Sequence, residues 1–273
     1  MRSRFLLLFI AALALLVLAS RSGLRAARPL LSTASSSASA SEAATPVLVE
    51  LFTSEGCSDC PPADALLARL DRSRLVPSAG VVVLSEHVDY WNELGWPDPF
   101  SSHDFSVRQD AYASRFRLPS VYTPQMIVDG RFQLVGSDEP AALSAIASAA
   151  RNQKIRVVLS NPRWSSAGEI SFHVEADPLP PSASAKSALL WIAAADDSDD
   201  SRVPTGENGG RTLHHVAVLR SFRRAASVSS TSGFSGDISL SLPSSHARSL
   251  RLIAVVQDPS PGPVFGLASA SLP

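Results

Sequence analysis

The chain has 273 residues, is 45% hydrophobic and 18% charged, and carries a formal net charge of -1. That composition supplies enough apolar side chain for a sizeable core and excludes global disorder. The near-zero charge argues against nucleic acid as a partner, so function has to be read from local chemistry.

Residues 1–45 do not read as folded domain. Arg2 and Arg4 precede an apolar run from Phe5 to Ala19, and small and polar residues follow. This grammar predicts an export signal over residues 1–31. The run is shorter than the roughly 20 apolar residues a membrane-spanning helix needs. An uncleaved N-terminal anchor is the alternative, and only then would the chain contact a membrane. Residues 32–45 are almost all Ser and Ala and read as a flexible linker. The expected location is exported: periplasmic, secreted or lumenal. There, two cysteines can persist as a disulfide.

A first domain is expected over residues 46–152. Val47 to Phe52 is an apolar, β-branched run that reads as a buried strand. It breaks at Gly56 and delivers Cys57-Ser58-Asp59-Cys60, which holds the only two cysteines of the chain. Ala65, Leu66, Leu67 and Leu70 then follow helical spacing to about Arg72. Strand, C-x-x-C and helix is the context in which this motif reads as a redox centre. Pro61 and Pro62 suit a first helical turn, so the helix is expected to start near Pro61 with the cysteines in the turn before it. Val81 to Leu84 is a second strand, leading into Glu86-His87-Val88-Asp89-Tyr90-Trp91. Phe105, Arg108, Gln109, Tyr112 and Phe116 predict a helix. Strands 125–128 and 131–135 flank Asp129-Gly130, the signature of a hairpin turn. A last helix covers 139–151.

The order β-α-β-α-β-β-α with C-x-x-C after the first strand resembles the thioredoxin-like superfamily. Thr123-Pro124, just ahead of the hairpin, resembles the residue pair with a cis proline that faces the cysteines there. Glu50 resembles the buried acid of the first core strand, although it lies one residue further from the first cysteine. The longer strings Phe52-Thr53-Ser54-Glu55-Gly56-Cys57, Glu86 to Trp91 and Tyr122-Thr123-Pro124-Gln125 are similar to a family of exported two-domain thioredoxin-like proteins of unknown function. The resemblance implies an α/β thioredoxin-like domain. It also implies that Glu50 shuttles the proton of Cys60 and that Thr123 and Pro124 bind an extended peptide.

The thiolate, not the thiol, attacks a disulfide. Cys57, the first cysteine of the pair, is the candidate nucleophile and Cys60 the resolving thiol. The partners are then protein or peptide thiols and disulfides, and the chemistry calls for no cofactor. Asp59 places a negative charge between the sulfurs, which disfavours the thiolate and predicts a weakly oxidising pair. One alternative is a binding protein in which the disulfide only clips a turn. A metal-binding protein is another, with His87 and Asp89 as weak candidate ligands beside the cysteines, since zinc accepts such donors. Trp91, Trp96 and Phe100 read as local core under a long loop, with a substrate-facing aromatic rim as the alternative.

Residues 153–273 change grammar. Ile170, Phe172 and Val174 alternate with Ser171, His173 and Glu175, and Ile238, Leu240 and Leu242 alternate with serines. Further runs at 155–159, 189–193, 216–219, 250–256 and 264–268 make about seven short strands, read as a β-sandwich-like all-β domain. Residues 196–211 read as a long polar loop, expected to approach the cysteine pair through Glu207, Asn208 and Arg211. His214 and His215 adjoin a strand, so they should point to opposite faces.

Overall fold

The computed structural model describes residues 44–165, 169–242 and 249–272. The expected export signal, and the linker up to residue 43, lie outside these residues. No described helix is long and apolar enough to cross a membrane.

The first segment follows the sequence signals closely. Strand β1 (Thr45–Thr53) leads through the cysteine turn to helix α1 (Pro61–Arg72), whose N-cap is Cys60. Strand β2 (Ala79–His87) runs parallel to β1, with Val47 opposite Val81 and Thr53 opposite His87. A short 3-10 turn at Asn92–Leu94 precedes helix α2 (His103–Phe116). The Ser102 side chain caps α2 by accepting the Asp104 N–H, and Arg117 closes it in the left-handed region at φ 56°. Strands β3 (Gln125–Val128) and β4 (Phe132–Val135) form the expected hairpin, and helix α3 (Glu139–Ala149) follows, capped by Asp138.

The second segment contributes β5 (Val157–Trp164), β6 (Glu169–Ala176), β7 (Ser187–Arg202), β8 (Thr212–Ser229), β9 (Phe234–Ser241), β10 (Leu250–Gln257) and β11 (Val264–Leu272). Here the expected architecture fails. The structure is mostly β, with 46% of the described residues in strands and 18% in helices. It is not an α/β thioredoxin-like domain followed by a β-sandwich-like one. A single mixed sheet runs β11-β10-β7-β8-β2-β1-β3-β4, and only β5-β6-β9 form a second sheet. The join is β2 against β8, where Ser85 meets Val218. One apolar cluster accordingly draws on both segments: Val49, Leu51, Leu66 and Leu84 pack with Ala193, Ile253, Val255 and Leu267. A second cluster, including Phe172, Val174, Leu190 and Leu252, fills the space between the two sheets. An edge strand seeks a partner for its unpaired backbone groups, and β2 takes its partner from the second segment.

The polar run that reads as a loop from Asp196 is also different. Strand β7 continues to Arg202, so the connection is Val203 to Arg211 only. Asp is a poor strand former, but each acid here meets a basic side chain. Arg220 reaches Asp196 (2.5 Å) and Asp199 (3.4 Å), His214 sits opposite Asp200 at 2.8 Å, and Arg251 binds Asp197 at 2.6 Å.

Candidate functional site

The cysteine turn sits where parallel β1 and β2 end. Gly56 brings the chain close to Trp91, whose Cβ would stand 3.1 Å from a Cβ at that position. The Cys57 N–H donates to the Ser54 carbonyl and the Cys60 N–H to the Cys57 carbonyl, both at 3.2 Å. Cys57 and Cys60 form a disulfide with Cα atoms 5.4 Å apart. Pro61 occupies N1 of α1, as expected, and the Ala63 and Asp64 N–H groups donate to the Cys60 carbonyl. Cys57 is 2% exposed and Cys60 fully buried.

Behind the turn lies a group of buried polar side chains. Asp64, one helical turn beyond Cys60, accepts from the Thr53 hydroxyl at 3.0 Å. His215 of β8 stands with Nε2 3.3 Å from Glu55 Oε1 and Nδ1 3.9 Å from Asp64 Oδ2. Trp96 Nε1 donates to the other Glu55 oxygen at 2.7 Å. His87 Nδ1 meets Asp98 Oδ2 at 2.7 Å, and that same oxygen accepts the Glu55 N–H at 2.8 Å. The His87 and His215 rings meet edge to face with centroids 4.7 Å apart, and Phe100 packs against both.

These contacts set the protonation preferences. Burial raises Asp64 above the usual carboxylate range, against the opposing pull of His215 and His87. Burial disfavours the charged form of Asp98 too, but the His87 imidazole and the Glu55 and Phe100 N–H groups hold it below its ordinary value. His87 loses from burial and gains more from Asp98, Asp64 and Glu55, so its pKa is raised. The site therefore sets a carboxyl shifted upward by burial beside an imidazole shifted upward by its acidic neighbours.

The expected site residues scatter differently. Glu50 lies on the α2 face of β1, where Arg108 Nε (2.7 Å) and the Tyr112 hydroxyl (2.6 Å) donate to it. Thr53, three positions on, faces Asp64 and α1, and strand alternation puts the two on opposite faces. Asp64, Asp98 and His215 share contacts with Glu55 and Thr53 next to the cysteine turn, and no local motif in the sequence marks them. Thr123 accepts from Trp91 Nε1 at 2.9 Å, and the Thr123–Pro124 bond is cis. Pro124 lies beside the first turn of α1. A Cβ at Gly136 would stand 3.1 Å from both Pro124 Cβ and Ala63 Cβ. His87 and Asp89 do not converge, because Asp89 binds Ser106 (2.5 Å) and His103 (3.1 Å) instead. Among the described residues, no three His, Cys, Asp or Glu side chains gather as metal ligands. His214 and His215 do face opposite ways: His214 is exposed beside Asp200, and His215 is buried. The 203–211 connection reaches the turn as expected, with Asn208 Nδ2 2.9 Å from the Cys57 carbonyl oxygen. A cleft of about 430 Å³ opens beside α1, lined by Pro61, Asp64, Ala65, Arg69, Leu213 and His214.

Residues 48–257 match the family described as protein of unknown function, DUF1223. The chain belongs to this family. No curated protein matches it. Among solved structures, this DUF1223 chain is similar to protein AGR_C_4864 from Agrobacterium tumefaciens, at 23% identity and a TM-score of 0.61. That match covers 83% of this chain and 94% of the other. It is also similar to HBP35 of Porphyromonas gingivalis, at 14% identity and a TM-score of 0.59, covering 84% of this chain and 76% of that one. At these identities the likeness speaks for the shared fold alone.

Proposed function

We propose that this DUF1223 chain is an exported thiol–disulfide oxidoreductase acting on protein or peptide thiols outside the cytosol. The observation that carries the reading is the Cys57–Cys60 disulfide at the head of α1, backed by buried Asp64, His87, Asp98 and His215. Perturbed titratable groups collect where protons have to move. Cys57 is the attacked and attacking sulfur, and Cys60 resolves the mixed disulfide. To Asp64, one helical turn beyond Cys60 and 3.9 Å from His215, we assign the taking and returning of the Cys60 proton, a role the sequence suggested for Glu50. The resemblance of the cysteine turn and of Thr123-Pro124 to thioredoxin-like enzymes supports the same chemistry. The cleft beside Pro61 offers room for a substrate chain.

Reduction of insulin by the purified chain in the presence of dithiothreitol tests the reading. Turnover above the dithiothreitol background, lost in Cys57→Ser, is the expected result. The near-complete burial of both cysteines favours a second reading, a binding protein with a structural disulfide. Insulin reduction at background rate in the reduced protein would select it.

A further inference from the structure

A buried disulfide cannot meet a protein substrate unless something moves. The chain tied across the cysteine turn is the β7–β8 connection, Val203 to Arg211, some 150 residues away in sequence. Asn208 is fully buried. Its Nδ2 donates to the Glu55 and Cys57 carbonyls, both at 2.9 Å, and its Oδ1 accepts from Arg211 Nη1 at 2.8 Å. Next to it, Glu207 Oε2 accepts the Ser58 N–H at 2.9 Å. At the other side of the loop, the Thr205 hydroxyl donates to the Gly95 carbonyl at 2.6 Å.

The loop holds its own shape. Its own backbone bonds hold it together: Val203 N–H to Arg211 O at 2.9 Å, Gly210 N–H to Val203 O at 2.8 Å, and Gly209 N–H to Gly206 O at 3.0 Å. Only Val203 and Asn208 of its nine residues are buried. Polar bonds fasten it to the cysteine turn, and seven of its nine residues are exposed, the makeup of a segment that can open locally.

The geometry points to loop 203–211 as a gate over the Cys57–Cys60 disulfide, latched by Asn208, which a polypeptide substrate displaces to reach Cys57. This rests on the exchange reading given above. With the gate open, a thiolate of a substrate dithiol attacks the Cys57 sulfur. The Cys57–Cys60 bond breaks, a mixed disulfide forms, and Cys60 leaves as a thiolate that takes up a proton. The second substrate thiolate then attacks the mixed disulfide and releases reduced Cys57. Two electrons pass from the substrate dithiol to the cysteine pair, and the reverse sequence oxidises the pair. Asn208 touches no reacting atom and is a positioning residue.

The test uses the full oxidised chain and dithiothreitol as the probe. Hydrogen exchange at the Ser58 amide reports the latch, and amides of β1 report the core. Asn208→Ala should reduce about tenfold faster, the effect of losing bonds of ordinary net strength. Ser58 should lose protection while the β1 amides keep theirs. Glu207→Ala, an exposed change that leaves Asn208 in place, should accelerate reduction by a smaller factor. Unchanged reduction rates in both variants, with Ser58 protection lost, would overturn the gate, as would β1 amides that exchange as fast as Ser58. If Asn208→Ala does not fold, Glu207→Ala decides by its reduction rate with the β1 amides as control, since Glu207 is itself the acceptor of the Ser58 N–H; an unchanged rate overturns the gate. Insulin assays keep the two claims apart. Accelerated reduction in the variants without any insulin turnover upholds the gate and removes the oxidoreductase. Equal insulin turnover in wild type and variants upholds the oxidoreductase and removes the gate.

Discussion

Two carboxylates, Glu50 and Glu86, face one guanidinium, Arg108, on the α2 side of β1 and β2. Arg108 satisfies Glu50 closely and reaches Glu86 only at 3.6 Å. Burial first, and the charge of Glu50 second, push Glu86 well above the usual carboxylate range. A carboxyl raised on folding binds its proton more tightly in the folded state. Its contribution to stability is fully present below the unfolded value of about 4.3 and is lost as pH rises through the folded one. Glu86→Gln removes that slope. Chemical denaturation should find it close to wild type at pH 4 and more stable by about 1–3 kcal/mol at pH 8. Parallel stability curves over that range would contradict the assignment. Charge around the cysteines sets a second expectation. Exposed Asp59 lies between them, and the Glu207 carboxylate holds the Ser58 N–H. Both disfavour a Cys57 thiolate, so titration against glutathione should give a potential nearer about -270 mV than about -120 mV. Asp59→His should make the pair more oxidising. No change would show that local charge does not set the poise.

Among the elements, the β3–β4 hairpin shows what local sequence can say. Asp129-Gly130 promised a turn with positive φ, and both residues have it, at 56° and 63°. What the local grammar could not say is where the turn docks. The Asp129 N–H donates to the Leu48 carbonyl at 2.7 Å, its carbonyl accepts from Val264, and Lys154 binds its carboxylate at 2.6 Å. A Cβ on Gly130 would stand 1.7 Å from the Gly262 carbonyl oxygen. Gly130→Ala should therefore cost more than the about 1 kcal/mol of a strained turn alone. A thermal melt within a degree or two of wild type would contradict this docking. Helices α1, α2 and α3 were equally legible, because caps, prolines and apolar spacing are local. Strand β7 was not. The acids of Asp196–Asp200 read as loop until Arg220, His214 and Arg251 are placed beside them by pairing with distant strands.

At the scale of the whole molecule the same limit decides both architecture and site. Nothing in β2 or β8 alone says that they share a sheet, so the sequence suggested separate α/β and all-β layers where one eight-stranded sheet exists. That join also carries His215 to Glu55 and Asp64, and it carries Asn208 to the cysteine turn. The cysteine pairing and the cis Thr123–Pro124 bond were legible because each is written in adjacent residues. Asp64, Asp98 and His215 were not, because each acquires its meaning from a partner on another element. The central claim is that Cys57 exchanges disulfides and Cys60 resolves them. Trapping tests it most directly: single-cysteine variants are incubated with a disulfide-containing protein substrate, quenched in acid and resolved under non-reducing conditions. Cys60→Ser, which keeps the attacker and lacks the resolver, should accumulate a mixed disulfide, and Cys57→Ser should not. Equal trapping by both variants, or by neither, would contradict the account.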